Sequence, residues 1–191
     1  MAVWVPAYAW AYGWTNFLFL CNLGVMITAI ALWRGSALLL STQAVAALWI
    51  SAAWLLDFSW RLLLGHHLFG ATAYMFEAKY PLFTRMLSLY HVAWPILLAY
   101  CLSVVGYRRA AWALQAAIAA AAIVVCRLFT SPAANINYAF REPFLGKQLA
   151  PGALHVVALI VTLGLGVYGL AHLILRAGFE RAAPAPERAT T

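Results

Sequence analysis

The stretch that decides the fold is AAWALQAAIAAAAIVVCRLF, residues Ala110–Phe129. It is twenty residues long, and its only charged residue, Arg127, stands two positions before its end. Because a helix needs about 20 apolar residues to cross the hydrocarbon core of a bilayer, this stretch predicts a transmembrane helix. The basic pair Arg108–Arg109 directly before it predicts a tight turn.

The composition of the whole chain points the same way. Of its 191 residues, 66% are hydrophobic and 9% are charged, whereas a soluble domain has about 25% charged residues. This excludes a water-soluble enzyme and a disordered chain. The net charge of +7 comes from basic residues that mostly flank apolar runs and form no continuous basic surface, so we expect no nucleic-acid partner. We interpret these residues as signals that set the orientation of the chain in the membrane.

Four further apolar stretches make the predicted fold all-α, a polytopic membrane protein with about five transmembrane helices. Residues Phe58–Thr84 are too polar to span the membrane and too apolar to lie fully in water, so they predict an interfacial segment between the second and third spans. We expect one helical transmembrane domain over residues 1–175 and a disordered tail over residues 176–191. The predicted spans are Trp14–Trp33, Ala37–Asp57, Arg85–Tyr107, Ala110–Phe129 and Pro151–Leu175.

The distribution of arginines predicts the orientation of the chain. Five spans place the two termini on opposite sides of the membrane. The two shortest turns, which hold Arg34, Arg108 and Arg109, lie on the side of the C-terminal tail. Short loops rich in arginine stay in the cytoplasm, so we expect the C-terminus to be cytoplasmic and the N-terminus outside.

The unusual polar residues concentrate in one half of the predicted bilayer. With a rise of 1.5 Å per residue, Cys21 lies roughly 10 Å, His91 roughly 9 Å and His155 roughly 6 Å below the N-terminal side. Polar groups in spans are candidates for function, although they also fix helix packing by hydrogen bonding to one another. The candidates are Cys21, Asn22, Asp57, Ser88, His91, Arg127, Asn135, Asn137 and His155.

The matched depths of Cys21 and His91 suggest a nucleophile and its base. A thiol buried in hydrocarbon is inert, but a histidine within hydrogen-bond reach can take its proton as the sulfur attacks. Alternatively, Cys21 packs as a small apolar residue and His91 bonds a backbone carbonyl. The residues that could orient the imidazole, or hold an oxyanion or a lipid phosphate, are Asn22, Asp57, Ser88, Arg127 and Asn137.

We expect no metal and no cofactor. His66 and His67 have no other ligand at a suitable spacing, and three cysteines form no disulfide framework. A haem held by His91 and His155 stays open as an alternative, because both lie at similar depths.

Three motifs carry a resemblance to a known family. They are FLFLCNLGVMITAIALWR at Phe17–Arg34, LSLYHVAWPILLAYCL at Leu87–Leu102 and NINYAF at Asn135–Phe140. In this order they resemble the bacterial YwaF-like integral membrane proteins. DFSWRL, YMF, PLFTRMLSLYH and GYRRA also resemble motifs of a narrower group of bacterial membrane-associated proteins.

The resemblance implies a lipid-acting enzyme in the bacterial cytoplasmic (inner) membrane. The YwaF-like proteins are similar to a transmembrane acyltransferase of ether phospholipids. They are more distantly similar to the androgen-induced hydrolases of fatty-acid esters. Matched by motif, the intramembrane nucleophile falls on Cys21 and the base on His91, while the family's Asp after the cysteine is Asn22 here.

The sequence therefore supports two functions about equally. One is an intramembrane acyl-ester hydrolase or acyltransferase whose partner is membrane lipid. The other is a non-catalytic subunit of a larger membrane complex. A haem or quinone carrier is the third hypothesis.

Overall fold

The computed structural model of the chain describes residues 1–144 and 146–180. Regular secondary structure in these residues is entirely helical. Three short 3₁₀ turns lie at Trp14–Leu18, Ala73–Phe76 and Ile136–Tyr138, and a π-helical segment, Thr162–Val167, joins the last two helices. The helices are α1 (Trp4–Tyr12), α2 (Leu20–Arg34), α3 (Ala37–Leu64), α4 (Leu82–Leu87), α5 (Tyr90–Val105), α6 (Ala111–Phe129), α7 (Leu154–Val161) and α8 (Tyr168–Phe179).

Four of the described helical segments are long and apolar enough to cross a membrane. The expected first span, Trp14–Trp33, is divided, because the extended backbone of Phe19 separates a 3₁₀ turn from α2. With 15 residues, α2 reaches roughly 22 Å, less than the roughly 30 Å of the hydrocarbon core. The four segments are Ala37–Leu64, Leu82–Val105, Ala111–Phe129 and Leu154–Phe179.

The central helix of the bundle is α3, which packs against α2, α5, α6 and α8. In its most apolar window 56% of the residues are buried, against 22–33% in the other three spanning segments. Small side chains at Ala44, Ala46 and Ala47 are almost fully buried, which lets neighbouring helices approach closely. The outer helices therefore direct most of their apolar surface away from the protein, as membrane-facing helices do.

Two helices end later than the sequence predicts. Helix α3 continues to Leu64, beyond the predicted end at Asp57, so the interfacial segment begins inside a helix. Helix α8 continues to Phe179 and includes the first residues of the predicted tail. Residues 181–191 of that tail lie outside the described residues.

The bundle has two unlike ends, a turn end and a loop end. The turn end holds the connections at residues 35–36 and 106–110 together with Glu180. The α2–α3 turn is tight because Gly35 adopts a left-handed conformation (φ 61°) and the Ser36 side chain caps α3. The loop end holds residues 1–19, 65–81 and 130–153, and all the candidate polar residues lie at or near it.

Candidate functional site

His91 lies in the first turn of α5 and is only 3% exposed. Its ring is stacked between those of Trp54 and Tyr90, with centroid distances of 4.8 Å and 4.1 Å. Nδ1 lies 2.9 Å from the carbonyl oxygen of Ser88. Because a carbonyl can only accept, Nδ1 carries the hydrogen, and Nε2 of the neutral ring keeps its lone pair. No residue in the described part of the chain hydrogen-bonds Nε2, so His91 retains a free basic nitrogen.

Cys21 lies in the first turn of α2, on another side of Tyr90. Its thiol is 3.9 Å from Oδ1 of Asn22, and the Tyr90 hydroxyl donates to the same oxygen at 2.8 Å. Nδ2 of Asn22 donates to the carbonyl of Asn16 at 2.7 Å. Within residues 1–144 and 146–180, no hydrogen bond joins Cys21 to His91. Both therefore flank Tyr90 without contacting each other through a hydrogen bond.

The packing of Trp94 explains this arrangement. A Cβ atom at Gly24 would overlap the indole of Trp94, and Nε1 of that indole donates to the Thr28 hydroxyl at 2.9 Å. Residues four apart share one face of a helix, so Tyr90 points toward α2 together with Trp94. His91 is the next residue along and is turned toward α3.

Hydroxyl groups from three segments meet beside His91. The Tyr8 hydroxyl and the Ser88 hydroxyl are 2.5 Å apart, and Nε1 of Trp54 donates to the Tyr74 hydroxyl at 3.0 Å. Burial raises the pKa of Tyr8 and of Tyr74, so both phenols stay protonated at physiological pH. Both phenols are therefore neutral groups in the packing around Ser88, whose carbonyl fixes the His91 ring.

Tyr8 and Tyr74 were missed from the sequence. The N-terminal residues Trp4–Tyr12 form α1, with Trp4 and Tyr8 buried. The signal that could have found Tyr8 is the spacing of Trp4, Tyr8 and Tyr12, which places three rings on one helical face.

Asn137 connects the loop of residues 130–153 to two helices. Its Oδ1 accepts from the backbone N–H of Leu20 at 2.9 Å. Its Nδ2 donates to the carbonyl of Leu18 at 2.7 Å and lies 3.4 Å from the Cys126 sulfur. The amide thus caps the start of α2 directly beside Cys21 and fastens the loop to α6.

His155 is fully buried and has both ring nitrogens engaged. Nδ1 accepts from the backbone N–H of Leu149 at 2.9 Å, so Nε2 carries the hydrogen and donates to the carbonyl of Tyr138 at 2.9 Å. In this arrangement His155 offers no lone pair to a haem iron, and His91 lacks the second axial histidine proposed from the sequence.

Asn135 and Arg127 belong to the same loop region. Oδ1 of Asn135 accepts from the backbone N–H groups of Phe140 and Arg141, each at 3.0 Å. The Arg127 guanidinium lies 4.7 Å from the centroid of the Phe140 ring. These residues therefore shape the loop and lie apart from the Cys21–His91 region.

Asp57 holds a different loop. Its carboxylate accepts from the backbone N–H groups of residues 68, 69, 70 and 72 at 2.8–3.1 Å and from the Thr72 hydroxyl at 2.6 Å. Nδ1 of His67 lies 3.3 Å away. Because the loop folds back to satisfy the carboxylate, α3 can continue past it to Leu64, and Asp57 does not reach the imidazole of His91.

The predicted candidates thus separate into two clusters and one loop anchor. Cys21, Asn22, Ser88 and His91 surround Tyr90, while Arg127, Asn135, Asn137 and His155 organise the loop of residues 130–153. The described residues contain no group of three or more potential metal ligands.

Comparisons with protein-family models, with curated proteins and with solved structures give no match. The similarity to YwaF-like proteins accordingly stays a prediction from the sequence motifs. What the chain provides is an apolar helical bundle with a free imidazole nitrogen and a thiol at one end.

Proposed function

We propose that the protein is an integral membrane enzyme that hydrolyses or transfers the acyl ester of a lipid, with Cys21 as nucleophile and His91 as base. The observation that carries the proposal is the free Nε2 of His91, in a ring whose Nδ1–H is fixed by the Ser88 carbonyl. A fixed tautomer with a lone pair that no other group occupies is what a general base requires. Tyr90 separates the thiol from this nitrogen and contacts both residues.

The chemistry needs no added oxidant or metal. As the sulfur of Cys21 attacks the ester carbonyl, its proton passes to Nε2 of His91, and the alcohol leaves with that proton as the thioester forms. Water, or the hydroxyl of an acceptor lipid, then attacks the thioester while His91 accepts its proton and returns it to the departing thiol. The thiol and the imidazole must approach when substrate binds, as catalytic pairs in unliganded enzymes often do.

The finer topology is part of the same proposal. We assign five crossings, with α2 and the preceding turn Trp14–Leu18 forming the first. The N-terminus lies outside the bacterial inner membrane and the C-terminus in the cytoplasm, because the arginine-bearing short turns lie at the turn end. This places the Cys21–His91 region toward the outer leaflet, near the depth of lipid ester bonds.

Labelling with a long-chain alkyl chloroacetamide tests the proposal on the full-length protein in neutral micelles. We expect Cys21 to be labelled, the label to disappear in Cys21→Ala, and the rate to fall about ten-fold or more in His91→Ala. Cys101→Ala is the matched control, since Cys101 is another partly buried thiol in a spanning helix. An unlabelled Cys21 would overturn the nucleophile, and an unchanged rate in His91→Ala would overturn the base.

A non-catalytic subunit of a larger membrane complex is the second candidate. The observation in its favour is that Asn22, Ser88, Asn137 and His155 all have hydrogen-bond partners within the chain, as groups that only fix packing do. On this alternative, His91→Ala lowers the melting temperature and leaves the labelling rate of Cys21 unchanged.

A further inference from the structure

A second region of the loop end has the character of an anion site. Arg127 stands two residues before the end of α6, roughly 3 Å from it along the helix axis. The chain beyond α6 folds over this end and leaves an open cleft of about 470 Å³. The cleft is lined by Arg127, Pro132, Ala133, Phe140, Arg141 and Gln148.

Both guanidinium groups are held in place but keep most of their donors. Nη1 of Arg127 lies 3.5 Å from the carbonyl of Ala139, and the group rests over the Phe140 ring. Nη2 of Arg141 donates to the carbonyl of Pro132 at 3.3 Å. Since a guanidinium has five N–H donors, each arginine retains several for a ligand in the cleft.

Among the described residues, the lining of the cleft contains two arginines and no carboxylate. Glu142, which directly follows Arg141, accepts from the backbone N–H groups of Phe144 and Lys147 at 2.7 Å and 3.2 Å. Asp57 is bonded by residues 68–72, and Glu77 and Glu180 have basic partners away from the cleft. The carbonyl end of α6 and the nearby Glu142 offset part of the charge of the two arginines. Two guanidinium groups on one cleft supply the charged donors that favour an anion between them.

The surface beside the cleft indicates where that anion comes from. Leu128 and Phe129 follow Arg127 and are 68% and 77% exposed, so the end of α6 presents apolar side chains outward. In a bilayer these side chains lie in the hydrocarbon, which sets the arginines at the level of the phosphates. We propose that the Arg127–Arg141 cleft binds the phosphate of an anionic phospholipid headgroup, independently of whether Cys21 is reactive.

Calorimetric titration of the full-length protein in neutral micelles tests this. The probe is dihexanoylphosphatidylglycerol, with dihexanoylglycerol as the phosphate-free lipid and inorganic phosphate as the free anion. We expect the phosphatidylglycerol to bind, the diacylglycerol not to bind, and each of Arg127→Gln and Arg141→Gln to weaken binding about ten-fold. The control is Arg34→Gln, because Arg34 lies 5.5 Å from the Trp33 ring in a similar arrangement at the turn end.

Each outcome is decisive. Equal binding by the Arg127→Gln/Arg141→Gln double variant, or equal weakening by Arg34→Gln, overturns the site. Inorganic phosphate that competes at the same concentration as the lipid assigns the cleft to a free anion and overturns the lipid headgroup. If Arg127→Gln fails to fold, the exposed Arg141 still provides a folded variant on which the same comparison is made.

Discussion

Replacing Asn137 by alanine should detach the loop of residues 130–153 from the bundle. The side chain is 7% exposed and bonds the N–H of Leu20, the carbonyl of Leu18 and the sulfur of Cys126. Its backbone is left-handed, with φ 53° and ψ 24°, a conformation that asparagine adopts more readily than alanine. One substitution therefore removes both a tether and a favourable backbone preference.

The size of the effect follows from these two contributions. Alanine leaves the backbone groups of Leu18 and Leu20 without partners, at about 1–3 kcal/mol for each buried group. The left-handed conformation adds about 1 kcal/mol for a residue with a Cβ atom and no polar side chain. Because such contributions are not strictly additive, we expect Asn137→Ala to lower the free energy of unfolding by about 3 kcal/mol.

Two further variants separate the contributions. Asn137→Gly loses the amide but adopts the left-handed conformation freely, so it should be about 1 kcal/mol less destabilised than Asn137→Ala. Asn135→Ala is the control, since Asn135 also has positive φ but bonds only within its own loop, to Phe140 and Arg141. It should weaken the loop without releasing it from α2.

Thermal unfolding in micelles gives the stability, and the reactivity of Cys126 reports the position of the loop. In a Cys21→Ala/Cys101→Ala background Cys126 is the only thiol, and it is fully buried beside Asn137. We expect a water-soluble maleimide to label it in Asn137→Ala and not in Asn135→Ala. A loss below about 0.5 kcal/mol with Cys126 still protected would refute the tether, and equal losses for alanine and glycine would refute the backbone contribution.

The remaining predictions concern packing, a loop anchor and pH. Gly24→Ala should cost about 1–3 kcal/mol in thermal unfolding, because a Cβ atom there overlaps the Trp94 indole; an unchanged melting temperature would show that the indole can move. Asp57→Asn places an NH₂ group among N–H donors, so it should lower the free energy of unfolding by about 2 kcal/mol and let residues 66–76 exchange their amide hydrogens faster. Unaltered exchange would contradict the role of Asp57 as an anchor of this loop. Hydrogen bonds from Arg109 and Arg176 hold the pKa of Glu180 below its usual 4.5, so the stability that Glu180 contributes is present above that value and lost as pH falls through the lowered pKa. The protection of amide hydrogens at the end of α8, taken relative to the intrinsic exchange rate at each pH, should therefore fall between about pH 6 and about pH 3, but not in Glu180→Gln.

Hydropathy alone predicts the long helices well. The stretch Ala110–Phe129 becomes α6, Ala111–Phe129, because a run of apolar residues bounded by arginines has few alternatives in a membrane. The end of α3 was not predictable, since an aspartate after an apolar run normally marks a helix end at the surface. Asp57 is instead buried, because the loop that follows α3 folds back and supplies its hydrogen bonds, and no pattern in the sequence reveals this fold-back.

The end of the bundle at which a residue lies was predictable, but helix rotation was not. Counting residues places Cys21 and His91 toward the N-terminal side, and both lie at the loop end, in the first turns of α2 and α5, while their depths in a membrane stay a prediction. Whether they face each other depends on the contact of Trp94 with Gly24, which turns Tyr90 toward α2 and His91 toward α3. A shift of one residue changes the direction of a side chain by about 100°, so the sequence could suggest the pair but not its geometry.

The loop of residues 130–153 is fixed in shape before any ligand reaches it. Asn135, Asn137 and Tyr138 all have positive φ, at 41°, 53° and 59°, and each such residue costs of order 1 kcal/mol or more. Three hydrogen bonds stabilise this conformation: Oδ1 of Asn135 accepts from the Phe140 N–H, Nδ2 of Asn137 donates to the Leu18 carbonyl, and Nε2 of His155 donates to the Tyr138 carbonyl. The same backbone positions Phe140 and Arg141 at the cleft. The loop loses its conformational entropy when the protein folds and not when an anion binds, so this preorganisation lowers the free-energy cost of binding an anion there.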